Sequence, residues 1–135
     1  MNSAIILAAG KGTRMVSEKN KVMHEILGKP MIEHVVDNLD LCNIDSQVIV
    51  VGHDAKRIEE HFKDRVLYAY QSEQLGTGHA VKQADILKKN KGNTLITFGD
   101  VPLVQPKTIQ KIFDETENFD LIVATTFFED AAQYG

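Results

Sequence analysis

The sequence has no tryptophan and a single cysteine, Cys42. One thiol cannot form a disulfide within the chain, and a lone cysteine does not have the pattern of a structural zinc site, so we expect a reducing compartment, the cytoplasm. A basic N-terminal lead is also missing, as is any run of about 18 apolar residues. We therefore expect neither a signal peptide nor insertion into a membrane.

Positive charge is scarce as well. The formal net charge is −4, whereas general nucleic-acid binders neutralise phosphates with an excess of Lys and Arg. We therefore expect no nucleic-acid partner, and any anion must be bound by a local group of residues. The 43% hydrophobic and 25% charged residues are typical of a globular protein, and 135 residues suffice for one domain with one core.

Short apolar segments alternate with amphipathic ones, which is typical of βαβ units and a mostly parallel sheet. The segments are continuously apolar, so their strands should be buried on both faces. The predicted strands are 4–7, 47–51, 66–70, 94–98 and 121–125. Helical spacing and capping residues predict helices at 30–41, from an Asp54 cap to 62, from 77 or 78 to about 89, and from 106 onward. The fold class is therefore α/β, a three-layer sandwich with right-handed crossovers.

Ligands of such folds bind outside the carboxyl ends of the strands, near the point where the strand order reverses. Three predicted loops follow strands at that end. They are LAAGKGTRM at 7–15, QSEQLGTGHA at 71–80 and FGDVPL at 98–103.

The first loop does not match the two best-known phosphate motifs. A dinucleotide fingerprint needs a third glycine where this chain has Met15, and a P-loop needs a glycine where it has Ile5. What remains is the run Gly10 to Thr13, whose glycines allow backbone N–H groups to face phosphate oxygens. Arg14 and Lys21 could add positive charge. A tight strand-to-helix turn without a ligand is the alternative, which spacing alone leaves open.

The other two loops carry a carboxylate and a second glycine-rich turn. Asp100 directly follows a predicted buried strand, and such a carboxylate suits Mg²⁺, which takes one or two carboxylates together with substrate phosphates. A turn or capping aspartate is the alternative. The stretch 75–78 would expose backbone groups suited to reading a base edge, although a plain loop explains it equally. The histidines lack metal-ligand spacing, and no serine or cysteine has the context of a catalytic nucleophile.

Five segments in order carry a family resemblance. They are 7–15, KVMH at 21–24, GKPM at 28–31, 71–80 and 99–103. The first resembles the opening of sugar-nucleotide pyrophosphorylases in general. The full set resembles the N-terminal uridylyltransferase domain of the bacterial bifunctional N-acetylglucosamine-1-phosphate uridylyltransferase/glucosamine-1-phosphate acetyltransferases. The resemblance implies a Rossmann-like nucleotide-diphospho-sugar transferase fold.

It also implies a reaction, in which the phosphate of N-acetylglucosamine 1-phosphate attacks the α-phosphorus of UTP, with Mg²⁺ as cofactor and pyrophosphate as leaving group. UDP-N-acetylglucosamine, a cell-wall precursor, would be the product. The implied nucleotide contacts are Leu7, Ala8, Ala9, Gly10, Gly12 and Thr13. The implied phosphate-binding catalytic residues are Arg14 and Lys21. The implied uracil-reading residues are Gln71, Gly76 and Thr77, the implied metal ligand is Asp100, and Gly135 is a further implied substrate contact.

The chain departs from the family pattern at Asn20, where the family often has proline before the lysine. We expect residues 1–135 to be the nucleotide-binding part of a longer pyrophosphorylase domain. The second metal ligand, most of the sugar pocket and the acetyltransferase domain, through which the parent enzyme forms a homotrimer, would then lie downstream. Two alternatives stay open: a UTP-binding module with little or no catalysis, and a pyrophosphorylase for another sugar or base.

Overall fold

The computed structural model describes residues 1–10 and 20–127. Its main sheet has four parallel strands in the order β5-β4-β1-β6. These strands are β1 Ser3–Leu7, β4 Ser46–Val51, β5 Leu67–Tyr70 and β6 Thr94–Phe98. A two-stranded antiparallel ribbon, β2 Glu25–Ile26 and β3 Lys29–Pro30, precedes the first helix. The mostly parallel sheet predicted from the alternation of apolar segments is confirmed.

The described residues form four α-helices, of which the first three connect strands of the main sheet and the last follows β6. They are α1 Met31–Asp40, α2 Ala55–Phe62, α3 Thr77–Gln83 and α4 Pro106–Asp114. Short 3₁₀ turns cover Lys21–Met23, Lys63–Arg65, Asp85–Leu87 and Glu115–Glu117.

The core lies on both faces of the sheet. Helices α1, α2 and α4 pack against the face that carries Ala4, Ile6 and Ile49. Helix α3 packs with the residues of the opposite face, which include Ile5 and Val48. Successive side chains of a strand point to opposite faces, so the continuously apolar strands β1 and β4 supply two cores. The predicted burial on both faces was wrong for β5 and β6, which lie at the edges of the sheet and are partly exposed. The predicted three-layer sandwich is confirmed.

Helix α1 shows how the sequence specifies a packed helix. Ile32, Val35, Val36 and Leu39 recur at helical spacing, and each is at most 5% exposed. Fully burying one such side chain stabilises the fold by about 1.5–3 kcal/mol. Pro30 lies at the N-cap position rather than inside the helix, where it removes no helical hydrogen bond.

Three local predictions were wrong. Residues 121–125 form no strand, because an apolar segment becomes a strand only when a neighbour satisfies its backbone, and no described strand pairs with it. Helix α3 ends at Gln83 rather than near Lys89, and a 3₁₀ turn follows it. Asp54 does precede α2, but its side chain makes no capping hydrogen bond; its carboxylate accepts one from the Asn20 amide instead.

In the part of the chain that the structure describes, no helix is long and apolar enough to span a bilayer.

A charge network joins α1 to its neighbours. Asp37 accepts hydrogen bonds from Lys29 and Arg65, and Arg65 also pairs with Asp40. Burial alone would raise the pKa of the Asp37 carboxyl, but the bonds from Lys29 and Arg65 outweigh it and hold this pKa below its ordinary value. The network therefore favours the ionised carboxylate in the folded state.

This network makes stability depend on pH. A carboxyl whose pKa is lower folded than unfolded stabilises the fold above its unfolded pKa of about 3.9, and that contribution is lost as the pH falls through the folded pKa. We expect Asp37→Asn to lower the free energy of unfolding near neutral pH by about 1 kcal/mol or less, since the groups are partly exposed. The deficit should shrink below about pH 4. Urea unfolding of both proteins at several pH values measures it; a deficit independent of pH would contradict the assignment.

Candidate active site

The loops after β1 and β6 leave the sheet side by side. Leu7 and Phe98, the last residues of these strands, are register partners, and the Gly99 amide donates to the Leu7 carbonyl at 2.9 Å. The chain runs from β1 outward through β4 to β5 and then returns to β6 on the other side of β1. This reversal of strand order is where open parallel sheets bind ligands.

A lysine and an aspartate meet above this point. The Lys21 Nζ atom lies 2.7 Å from Asp100 Oδ2, with 44% and 32% of the two side chains exposed. A pair this exposed contributes only about 0–1 kcal/mol to stability. Its position at the strand ends brings together the predicted phosphate-binding lysine and the predicted metal-binding carboxylate.

A cavity of about 290 Å³ opens beside this pair. Its walls come from the loops after β1, β5 and β6 and from the start of α3. The lining residues are Leu7, Ala8, Ala9, Gly10, Asn20, Lys21, Val22, Gln71, Gln74, Gly76, Thr77, Ala80, Phe98 and Asp100. The structure thus places around one cavity every predicted site residue that it describes. Gly12, Thr13, Arg14 and Gly135 lie outside the described residues.

Backbone groups of the first loop divide into two sets. The Ala8 amide donates to the Val50 carbonyl at 2.9 Å, and the Leu7 carbonyl is taken by Gly99, so these groups serve the sheet. Within residues 1–10 and 20–127, the amides of Ala9 and Gly10 have no hydrogen-bond acceptor. These two amides are therefore among the described main-chain donors at the cavity that bond to no described residue.

The opposite wall is built on a glycine turn and a buried glutamine. Gly76 has a φ of 96°, a left-handed conformation that favours glycine, and it precedes the first residue of α3, Thr77. Gln71 is only 4% exposed, and its Nε2 atom lies 3.2 Å from the Gly76 carbonyl. The wall thus presents a buried amide beside an open turn.

Sequence reasoning missed Gln74 as a wall residue. Its Nε2 atom donates to the Ala9 carbonyl at 2.7 Å and so ties the loop after β5 to the loop after β1. Gly52 makes room for this contact: a Cβ atom there would lie 2.6 Å from the Ala9 carbonyl oxygen and 3.1 Å from Gln74 Nε2. Neither role has a signal in the sequence, because both depend on contacts between separate loops.

Asn20 was noted in the sequence only as a departure from proline. In the structure it is 8% exposed, its side-chain nitrogen donates to the Ala8 carbonyl at 3.2 Å, and its side-chain oxygen accepts from the Val22 amide. Its backbone amide donates to Asp54, a bond that proline cannot make. These bonds anchor the residue that precedes Lys21.

We expect Asn20→Ala to lower the free energy of unfolding by about 1–2 kcal/mol, because it leaves the buried Ala8 carbonyl and Val22 amide without partners. Thermal and urea denaturation measure this loss. Asn118→Ala is the matched control, since Asn118 is exposed and its side chain bonds to nothing in the described part of the chain. Equal stabilities of the two variants would contradict the anchoring role.

Metal-binding groups are sparse in the same region. Among the described residues, no three His, Cys, Asp or Glu side chains gather as a metal cluster. Asp100 is the described carboxylate at the cavity. One carboxylate at the rim fits Mg²⁺, which is usually held by one or two carboxylates, several waters and substrate phosphates.

A parallel sheet with a cavity at its switch point, walled by backbone amides, a cation and a carboxylate, is the arrangement of the open α/β proteins that bind ligands at this edge of the sheet. Comparison with known families is more specific. Residues 4–132 match the MobA-like NTP transferase domain, and the chain belongs to that family.

A curated relative is similar over almost the whole chain. The bifunctional protein GlmU of Exiguobacterium sp. is 47% identical over 135 residues, which cover 98% of this chain and 30% of the relative. The match lies in the N-terminal part of that protein. The chain therefore spans less than a third of the length of this relative, and the resemblance found in the sequence is confirmed.

Solved structures share the fold. A UDP-glucose pyrophosphorylase complexed with UDP-glucose superimposes with a TM-score of 0.69 at 20% identity, over 87% of this chain and 54% of the other. Rv0371C of Mycobacterium tuberculosis in complex with manganese has a TM-score of 0.67 at 19% identity, over 85% and 59% of the two chains. The predicted nucleotide-diphospho-sugar transferase fold is confirmed.

Proposed function

We propose that this chain is the nucleotide-binding part of a uridylyltransferase that transfers UMP from UTP to N-acetylglucosamine 1-phosphate. The observation that carries the proposal is the cavity between the ends of β1 and β6, which joins the Lys21–Asp100 pair to the wall formed by Gln71 and Gly76. Similarity to GlmU over 98% of the chain supports the choice of substrates.

The two ends of the cavity suit the two ends of a nucleoside triphosphate. The ammonium of Lys21 and the amides of Ala9 and Gly10 are donors for phosphate oxygens, and a bond to a charged group contributes about 1.5–3 kcal/mol. Local binding of this kind allows an acidic chain to hold a polyanion. The buried Gln71 amide and the Gly76 turn form the other wall, which we assign to the base, with Thr77 beside it.

We assign Mg²⁺ to Asp100. When bound there, the ion would neutralise charge on the triphosphate and on the departing pyrophosphate. The carboxylate pairs with Lys21 in the described structure, and the lysine can turn to phosphate when a divalent cation takes the carboxylate. Asp100 thus holds a cation at the cavity both with and without substrate.

The proposed reaction requires no protein nucleophile. An oxygen of the sugar phosphate forms a bond to the α-phosphorus of UTP as the bond to the pyrophosphate oxygen breaks. Catalysis then consists of alignment and of stabilising negative charge. Lys21 supplies positive charge for it, the Ala9 and Gly10 amides orient the phosphates, and Arg14, from the loop outside the described residues, is a second proposed cation.

We extend the proposal to the longer enzyme. The chain covers 30% of the GlmU relative, and we propose that the sugar pocket, with Gly135 at its start, and trimer formation involve parts of such a protein beyond those described. The buried free thiol of Cys42 and the nucleotide substrate are consistent with action in the cytoplasm.

Calorimetric titration tests nucleotide binding. We expect the 135-residue chain to bind UTP more tightly than CTP or ATP, and to bind it more tightly with Mg²⁺ than with EDTA. A chain that binds none of the three nucleotides would contradict the proposal.

A pyrophosphate-release assay then tests turnover. With UTP, Mg²⁺ and N-acetylglucosamine 1-phosphate, release of pyrophosphate supports a complete catalytic unit. UTP binding with no release supports the alternative, a binding module with little or no catalysis. Glucose 1-phosphate in place of the acetylated sugar tests the pyrophosphorylase for another sugar.

A further inference from the structure

Gln71 is a buried polar side chain whose orientation is set by two neighbours. Its Nε2 atom lies 3.2 Å from the Gly76 carbonyl and 3.0 Å from His79 Nδ1. A carbonyl can only accept hydrogen bonds, so the nitrogen of the amide, not its oxygen, must face Gly76. Both Nε2 protons then have acceptors if the facing nitrogen of His79 is unprotonated.

This arrangement leaves the Oε1 atom of Gln71 without a donor among residues 1–10 and 20–127. This oxygen is also not fully enclosed. The fully buried side-chain polar atoms that lack a partner in the described part of the chain are His24 Nε2 and Gln47 Oε1. Gln71 lines the cavity. The side chain therefore offers a hydrogen-bond acceptor, and no donor, to a ligand in that cavity.

His79 can hold this orientation only in one tautomer. A neutral imidazole has one donor and one acceptor nitrogen, so acceptance at Nδ1 puts the proton on Nε2. The Gln83 Nε2 atom lies 3.1 Å from that Nε2 atom and also donates to the His79 carbonyl at 3.1 Å, so presenting its oxygen to His79 gives up the bond to the carbonyl. Gln83 is partly exposed, so water can replace that bond when its amide turns. Gln71 is 4% exposed, and reversing its amide would set two carbonyl oxygens against each other. The buried partner therefore decides the tautomer.

We propose that His79 is a positioning residue for base selection: by accepting from Gln71, it keeps the Gln71 oxygen facing the base. A uracil ring presents an N–H at its N3 position, whereas cytosine presents a lone pair there. An acceptor in the wall bonds the first ring and repels the second. A site built around one hydrogen bond discriminates against a ligand that leaves it unmade. The inference rests on the proposed uridylyltransferase function.

Substitution of His79 tests the role. His79→Phe removes the acceptor and frees the Gln71 amide to turn, so we expect the ratio of UTP to CTP affinity to fall by about tenfold, the value of one neutral hydrogen bond. His79→Asn can place its side-chain oxygen where Nδ1 lies and should keep the ratio within about threefold of wild type. Lys82→Ala, an exposed change on the same helix, is the control and should leave the ratio unchanged.

A spectroscopic measurement on the unliganded wild-type chain does not depend on whether the variants fold. The ¹⁵N shifts of His79 at about pH 8, where an ordinary histidine is neutral, should show an unprotonated Nδ1 and a protonated Nε2. The opposite tautomer would overturn the inference.

The binding data separate this inference from the proposed function. UTP binding by wild type with the same UTP-to-CTP ratio in His79→Phe would overturn the role of His79 and leave the function standing. Failure of wild type to bind UTP would overturn both.

Discussion

Replacing Asp100 with asparagine should abolish the Mg²⁺ dependence of UTP binding. Loss of a residue that only supports a metal ligand costs about 10–100-fold in affinity, so loss of the proposed ligand itself should cost at least about 100-fold in the presence of Mg²⁺. In EDTA the variant should bind UTP no more weakly than wild type, since a negative charge beside the triphosphate has been removed. Calorimetry with Mg²⁺ and with EDTA measures the UTP affinity of both proteins under each condition.

The fold should tolerate this change. The Lys21–Asp100 pair is partly exposed, so the free energy of unfolding should fall by no more than about 1 kcal/mol. Asp120→Asn is the matched control, because it removes the same charge from an exposed position away from the cavity and should leave the metal response intact. If Asp100→Asn mainly unfolded the protein, the residue would be a structural turn aspartate rather than a metal ligand.

Replacing Gly52 with alanine should damage both stability and nucleotide binding. The added Cβ atom would lie 2.6 Å from the Ala9 carbonyl oxygen, a distance that requires the backbone to move. Overpacking of this kind costs about 1–3 kcal/mol, and contact with backbone puts the expected loss at about 2–3 kcal/mol. The shift would also move the amides of Ala9 and Gly10, so UTP affinity should fall by about tenfold or more.

Gly78→Ala provides the comparison. A Cβ atom at Gly78 meets nothing within 4 Å, and the residue lies inside α3, where alanine favours the helix by up to about 1 kcal/mol over glycine. Differential scanning calorimetry should therefore show a lower melting temperature for Gly52→Ala alone. If Gly52→Ala were as stable as Gly78→Ala, Gly52 and the Ala9 carbonyl would not be as close as the structure places them.

Local sequence patterns were sufficient for most of the elements. The apolar segments at 4–7 and 47–51 are continuous because both faces of their strands are buried, and such burial is directly visible in the composition of the segment. The same was true of α1, whose apolar residues repeat at helical spacing. The segment 121–125 has the same apolar trace and is not a strand, because strand formation also requires a partner, and a partner is not a local property.

Part of the site could also be predicted. Parallel strands present their carboxyl ends at one edge of a sheet, so the loops after β1 and β6 had to lie on the same side once the strands were recognised. Resemblance to a family then supplied roles for Lys21, Gln71 and Asp100, and those roles stay predictions until nucleotide binding is measured.

By itself, then, the sequence determined the α/β class, four strands, the side of the sheet that carries the loops, and a family. Only the tertiary structure decided that β6 lies beside β1, that Lys21 meets Asp100 across 79 positions of the chain, and that Asn20, Gly52 and Gln74 shape the cavity. The physical reason is range: burial and helix periodicity act between near neighbours in the chain, whereas strand order and contacts between loops depend on how the whole sheet packs.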